Sequence, residues 1–225
     1  MHAQIGDYRS DFSIGVNGGL TMTNVGFVPK VTQTYLPGYT GGISMRYICE
    51  KYFKTICSIY AEVNLTQMGW RENIIDLESQ PVFNELTGDY DKYERQMKYI
   101  QVPIMAHLAW GKEKKGMNFF IEAGPQFGYL LGEKTVTNFT LDNANMEDRT
   151  NKTCAQDTMA VEKKMDYGIC AGVGVEFSYP KLGHFLLSGR YYYGLGNIYG
   201  ATKRDYFSKS NHAAIEVKLC YLFDL

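Results

Sequence analysis

An all-β fold, an eight-stranded antiparallel up-and-down β-barrel, is what this sequence predicts, and three observations predict it. Apolar and polar residues alternate strictly in eight separate segments, the period of a half-buried strand. The connections between those segments alternate short and long. The 225 residues include 18 Tyr, 12 Phe and 23 Gly, an excess of strand-forming aromatics and of the residue that tolerates tight turns and crowded backbone.

The segments follow in order. Segment one sets Phe12, Ile14, Val16, Gly18, Leu20 and Met22 against Ser13, Gly15, Asn17, Gly19 and Thr21. Segment two sets Tyr39, Gly41, Ile43, Met45 and Tyr47 against Thr40, Gly42, Ser44 and Arg46. In segment three, Cys57, Ile59, Ala61, Val63 and Leu65 oppose Ser58, Tyr60, Glu62, Asn64 and Thr66. Segment four sets Ile100, Val102, Ile104, Ala106, Leu108 and Trp110 against Tyr99, Gln101, Pro103, Met105 and His107. Segment five carries Met117, Phe119, Ile121, Ala123, Pro125, Phe127 and Tyr129 against Asn118, Phe120, Glu122, Gly124, Gln126 and Gly128. Segment six alternates Tyr167, Ile169, Ala171, Val173, Val175 and Phe177 with Asp166, Gly168, Gly172, Gly174 and Glu176. Segment seven alternates Phe185, Leu187, Gly189, Tyr191, Tyr193 and Leu195 with His184, Leu186, Ser188, Arg190 and Tyr192. The last alternates Ala213, Ile215, Val217, Leu219, Tyr221, Phe223 and Leu225 with His212, Ala214, Glu216, Lys218 and Cys220. Pro103 and Pro125 fall inside segments where a closed sheet has no edge to absorb a missing N–H, so a bulge or ladder break is expected near each.

No first-named face carries a charge; the second holds Arg46, Glu62, Glu122, Asp166, Glu176, Arg190, Glu216 and Lys218. Connections 50–55, 111–116 and 180–183 are short, whereas 23–38, 71–92, 132–165 and 200–211 are long. Tight turns at one end and long loops at the other are the asymmetry of an outer-membrane barrel, with short periplasmic turns and long extracellular loops. The alternative closure is inside-out, a soluble lipocalin-like carrier whose apolar face lines a ligand cavity. Three features favour the membrane version. The polar face is rich in Gly, it carries few Lys, and aromatics (Tyr39, Tyr47, Trp110, Tyr129, Tyr167, Tyr179, Tyr221, Phe223) gather at segment ends as interfacial girdles do. The barrel is expected over 12–225, with 1–11 as an N-terminal periplasmic segment.

Composition narrows the function. Lys and Arg number 23 against 24 Asp and Glu, a net charge of −1, which argues against a nucleic-acid partner. A hydrophobic share of 45% argues against disorder. No apolar run is long enough for a membrane-spanning helix, which leaves spanning strands open. The start, Met1-His2-Ala3-Gln4, lacks a basic region followed by an apolar core and does not read as a signal peptide. Cys49, Cys57, Cys154, Cys170 and Cys220 show no zinc-ligand spacing, and Cys49 and Cys57 read as two unpaired apolar residues or as a pair across one turn. No cofactor is expected.

Several stretches resemble the small outer-membrane β-barrel family of Bacteroidetes often called PorT-like. They are Gly19-Leu20-Thr21-Met22-Thr23-Asn24-Val25, Tyr99-Ile100-Gln101-Val102-Pro103-Ile104, 120–131 (FIEAGPQFGYLL), Asp166-Tyr167-Gly168 and 190–198 (RYYYGLGNI). The resemblance implies an eight-stranded barrel in the bacterial outer membrane, exported by a signal peptide, and no particular biochemical activity. Tyr221, Phe223 and Leu225 resemble a barrel-assembly signal with an apolar final residue.

Candidate site residues fall into two groups. Arg46, Glu62, Glu122, Glu176, Arg190, Glu216 and Lys218 would project into a lumen wide enough only for side chains, where unpaired ions are costly. They read as a salt-bridged plug, with a narrow gated ion path as the alternative. The loops carry the second group: Lys203, Arg204, Tyr206 and Phe207 in the basic, aromatic fourth loop are candidate surface binders. The second loop is acidic (Asp76, Glu78, Glu85, Asp89, Asp91), and the third, with Asp142, Glu147, Asp148, Arg149, Lys152 and Asp157, is long enough to fold over the barrel mouth. A Ser-His-acid set drawn from Ser188, His107, His184 and His212 would instead suit an outer-membrane lipid-modifying enzyme. The leading expectation is a non-enzymatic envelope protein in contact with outer-membrane lipid and lipopolysaccharide, and with other envelope proteins where it serves as a complex subunit.

Overall fold

The structure, a computed structural model, describes residues 7–111, 115–140, 144–150, 155–200 and 206–225. Its elements in chain order are β1 (Asp7–Val28), β2 (Gln33–Thr34), β3 (Leu36–Tyr52), β4 (Thr55–Glu72), β5 (Phe83–Asn84), β6 (Asp89–Tyr90), β7 (Tyr93–Gly111), β8 (Gly116–Thr137), α1 (Ala155–Thr158), β9 (Met165–Tyr179), β10 (Gly183–Gly194) and β11 (Lys209–Asp224). The long strands neighbour one another in the order β4, β3, β1, β11, β10, β9, β8, β7, and β7 pairs with β4 to close the ring. Every pairing is antiparallel, so the wall is an eight-stranded up-and-down barrel without an open edge. The hairpin β5–β6 stands apart on the loop after β4, and β2 extends the outer end of β4.

The wall has the polarity of a membrane barrel. Outward-facing Val16, Val173 and Val217 are 61%, 63% and 56% exposed, whereas Glu62 and Glu176 are buried inside. That is the reverse of a soluble carrier, in which the greasy residues would surround the cavity. The β3–β4, β7–β8 and β9–β10 hairpins turn at the end where β1 starts and β11 finishes, as the pairing of Ser13 with Asp224 shows. Phe53 and Lys181 take the left-handed backbone that such short turns demand, at φ 55° and 66°.

Strand ends differ from the sequence expectation. The first strand begins at Asp7, before Phe12, and Asp7 and Tyr8 pair with Lys51 and Glu50 beyond a register shift. At the loop end β1, β4, β7 and β8 run several residues past the alternation that defined their segments. There the polarity inverts. Val25, Phe27, Met68, Trp70, Tyr93 and Met97 point inward and are buried, while Gln67, Arg71, Glu94, Gln96 and Lys98 sit on the outer register. A wall that leaves the bilayer meets water outside, so its apolar residues turn to the interior.

Both prolines interrupt the ladder without shifting it. β7–β8 pairing skips Ile104 and Met105 opposite Gly124 and Pro125, and β4–β7 pairing skips Glu62 and Val63 opposite Val102 and Pro103. The bulges lie elsewhere, at Ile48/Glu50 and Lys98/Tyr99. Inside, Gly174 leaves the space that the Phe120 ring takes: a Cβ there would lie 2.3 Å from the ring and 2.4 Å from the Leu187 carbonyl oxygen. Cys49 and Cys57 are free thiols.

Candidate functional site: the charged lumen and its extracellular cover

Inward residues of the eight strands stack in layers from the turn end to the loop end. The lowest layer joins β3, β9, β10 and β11. Arg46 Nη1 donates to Glu176 Oε1 at 2.8 Å, His184 Nδ1 lies 2.6 Å from the same oxygen, and His184 Nε2 lies 3.2 Å from Asp224 Oδ2. Ser13 Oγ donates to Asp224 at 2.6 Å, tying β1 to the group. Beside this layer a cavity of about 10 Å³ lies among Arg46, His107, Asn118 and Glu176, room for one water at most.

The middle layer is denser in charge. Arg190 reaches from β10 to two carboxylates on other strands, donating through Nη1 to Glu62 at 2.8 Å and through Nε to Glu122. Lys218 Nζ donates to the same Glu62 oxygen at 2.5 Å, and His107 Nδ1 is 3.5 Å from Glu122. Asn64 and Asn17 extend the network toward β1 and β3, through Asn64 Nδ2 to Glu62 at 2.7 Å and Asn17 Nδ2 to Asn64 Oδ1 and Ser44 Oγ. The guanidinium of Arg190 also stands 5.5 Å from the centre of the Tyr60 ring. Glu216, opposite Arg190 in the β10–β11 ladder, is buried, and no cation lies within ion-pair distance of it among the described residues. Above this layer Tyr192 donates to Asp166 at 2.7 Å, and Tyr99 Oη meets His212 Nε2 at 3.1 Å.

The seven lumen candidates are therefore all buried, with six of them ion-paired in two layers: Arg46 with Glu176, and Arg190, Lys218, Glu62 and Glu122 together. The Ser-His-acid set is not assembled. No hydrogen bond joins Ser188 to a histidine among the described residues, and the hydroxyl beside His184 is that of Ser178, 2.8 Å from Nδ1. Ser178 is 1% exposed and also bonds Glu176, so no acyl chain reaches it.

A cover of apolar side chains closes the loop end, and alternation gave no signal of it. Phe27 packs on Trp70, Tyr199 and Phe207 with ring centroids 5.2, 6.2 and 4.8 Å away. Phe207 is thus a correction to the reading that placed it on the surface: it is fully buried, because it fills the apolar mouth that the polarity inversion creates. Tyr206 is 50% exposed, and Lys203 and Arg204 lie outside the described residues. The third loop does reach the mouth. Gln156 of α1 is fully buried, its carbonyl accepts from Tyr93 Oη at 3.5 Å and Tyr199 Oη at 3.4 Å, and its Nε2 donates to Glu72 Oε1 at 2.7 Å. Asp142 and Lys152 lie outside the described residues.

Glu72 ends β4 seven residues past the last apolar outward residue, Leu65, which places it beyond the bilayer. Burial pushes its carboxyl up to about 8, and the nearby Asp157 carboxylate pushes the same way. Between the ordinary carboxylate value of 4.5 and about 8 the folded chain holds a proton that the unfolded chain has released, so this group's contribution to stability falls as pH rises through that window. Denaturant unfolding in micelles from pH 5 to pH 9 should show that fall in the native chain, and Glu72→Gln should flatten it.

Residues 2–200 match the family described as outer membrane protein beta-barrel domain. No curated protein matches the chain. Among solved structures it is similar to the attachment invasion locus protein Ail of Yersinia pestis, at 11% identity over 96% of this chain and 100% of that one, with a TM-score of 0.36. It is also similar to Neisserial surface protein A, at 10% identity over 94% and 97% and a TM-score of 0.44. The outer membrane protein OprG from Pseudomonas aeruginosa is similar at 11% identity over 97% and 98%, with a TM-score of 0.45.

Proposed function

Since the chain belongs to the outer membrane protein beta-barrel domain family, we propose that it is a non-enzymatic barrel whose lumen is closed by its own ion pairs and whose work is done by its extracellular loops. Its place is the bacterial outer membrane. The observation that carries the closed lumen is Arg190, buried and held between Glu62 and Glu122 from strands across the barrel, with Lys218 completing the layer. Ions held this way stay put, because separating them inside an eight-stranded lumen exposes each to several kcal/mol of desolvation. The aromatic cover and Gln156 above them add a second, apolar barrier.

With the lumen filled, the loops are the surface left for recognition, in a structural, binding or complex-subunit role. Lipid contact follows from the charge-free outward band, and lipopolysaccharide contact is supported by Lys98 and Lys134. Both sit on the outer register just above Ile100, Tyr129 and Leu131, at the height where outer-leaflet phosphates begin. The finer kinship to the Bacteroidetes PorT-like group rests on the five stretches quoted above.

Planar-bilayer recording tests the closed lumen. The refolded protein should show no large steady conductance, and sustained open steps of wide-porin size would overturn the reading.

A further inference from the structure

The loop after β4 and the loop after β8 meet above the barrel on either side of an open cleft of about 1170 Å³. Its walls are fixed by contacts between the two loops. Asn145 Nδ2 donates to the Phe83 carbonyl at 3.0 Å, Thr150 N donates to the Ile75 carbonyl at 2.9 Å, and buried Arg149 pairs with buried Asp91 at 2.7 Å. Arg149 also lies over the Phe139 ring at 4.5 Å.

Two properties of the cleft stand out. It displays Leu77 at 89% exposure, Leu86 at 79% and Phe83 at 48%, far from the lipid band that explains exposed apolar residues on the wall. It is also acidic. Asp76, Glu78, Glu85, Glu147 and Asp148 line it, and none has an ion-pair partner among the described residues. The one basic residue among its described lining residues, Arg149, is buried against Asp91.

We propose that this cleft docks a cationic, amphipathic polypeptide segment, with Lys or Arg facing the carboxylates and apolar side chains on Leu77, Phe83 and Leu86. Charge complementarity selects that occupant. A phosphate-bearing lipid is repelled by the acidic rim, and a second copy of this chain would bring acidic face to acidic face in a two-fold contact. The inference rests on the reading that the loops do the work, and it names their partner's chemistry.

The test uses the full chain refolded in phosphatidylcholine nanodiscs free of lipopolysaccharide. Fluorescence anisotropy would compare three labelled twelve-residue peptides: alternating Lys-Leu, alternating Glu-Leu and alternating Ser-Leu. The Lys-Leu peptide should bind at least tenfold more tightly than either other, and weaken as salt rises. The triple variant Glu78→Gln, Glu85→Gln, Glu147→Gln, whose side chains make no structural hydrogen bond among the described residues, should lose that preference tenfold or more. Leu77→Ser with Leu86→Ser should weaken binding while keeping the salt dependence. Equal binding of all three peptides, an unchanged affinity in the triple variant, or a dimer in sedimentation that Leu77→Ser dissolves would each overturn the proposal. Conductance recorded on the same preparation reports on the closed lumen separately, so the two readings fail independently.

Discussion

Arg190→Met is expected to lower the stability of the barrel by about 3–5 kcal/mol, the usual cost of removing one partner from a buried ion pair. The guanidinium holds Glu62 and Glu122 at once, with all three side chains at 3% exposure or less. Methionine replaces the apolar stem of the side chain and none of its donors. Glu62 keeps Lys218 at 2.5 Å, so Glu122 bears most of the loss, with His107 at 3.5 Å as its remaining partner. That asymmetry gives a sharper test. Arg190→Met combined with Glu122→Gln removes one charge of each sign and leaves the Glu62–Lys218 pair intact, so it should recover half or more of the loss. Arg190→Lys should recover less, because one ammonium does not reproduce the fork that reaches two carboxylates. Guanidinium unfolding in detergent micelles measures all three. An Arg190→Met midpoint equal to that of the native chain would show that the layer holds nothing together.

The membrane-facing part of the fold was readable because two constraints coincide there. Lipid forbids charge on one face of each strand, and a narrow lumen gathers it on the other, so period-two alternation separates Val173 and Val217 from Glu176 and Glu216 without any knowledge of neighbours. Above the bilayer the same strands obey the opposite rule. Trp70 and Met68 point in while Arg71 and Gln67 face out, and a reading tuned to greasy-outside ends the strand at the switch. That is why alternation marks β4 and β7 shorter than they are, and why it carries no sign that Phe207 is buried. Which ions meet was unreadable for a different reason. Arg46 and Glu176 are 130 residues apart in sequence and Arg190 and Glu62 are 128 apart. Their meeting depends on the stagger at which eight strands close, a property of the ring rather than of any one segment. The same limit hid Ser178, which shares a hairpin with His184 but faces it only once the β9–β10 register pairs the two residues directly.

Orientation of the greasy face is tested most severely at mid-depth. Val173 lies halfway along β9 between Tyr167 and Tyr179 and is 63% exposed on the outside. At ~3.3 Å per residue and ~45° of tilt, the six residues from Tyr167 to Val173 descend about 14 Å, close to half of a ~25 Å apolar band. An arginine at that depth has no aqueous phase within reach of its stem, so Val173→Arg should destabilise the barrel by about 2–4 kcal/mol. Tyr167→Arg, at the girdle, should cost only about 0–1 kcal/mol, since its guanidinium reaches the headgroups. The gradient between the two positions is the informative quantity. In a water-soluble barrel both outward sites would be solvated, and two surface arginines would each change stability by about 0.5 kcal/mol or less. Equal and small effects at Val173 and Tyr167, measured by unfolding from phospholipid vesicles, would place water where hydrocarbon is required and remove the ground for confining the charges to the lumen.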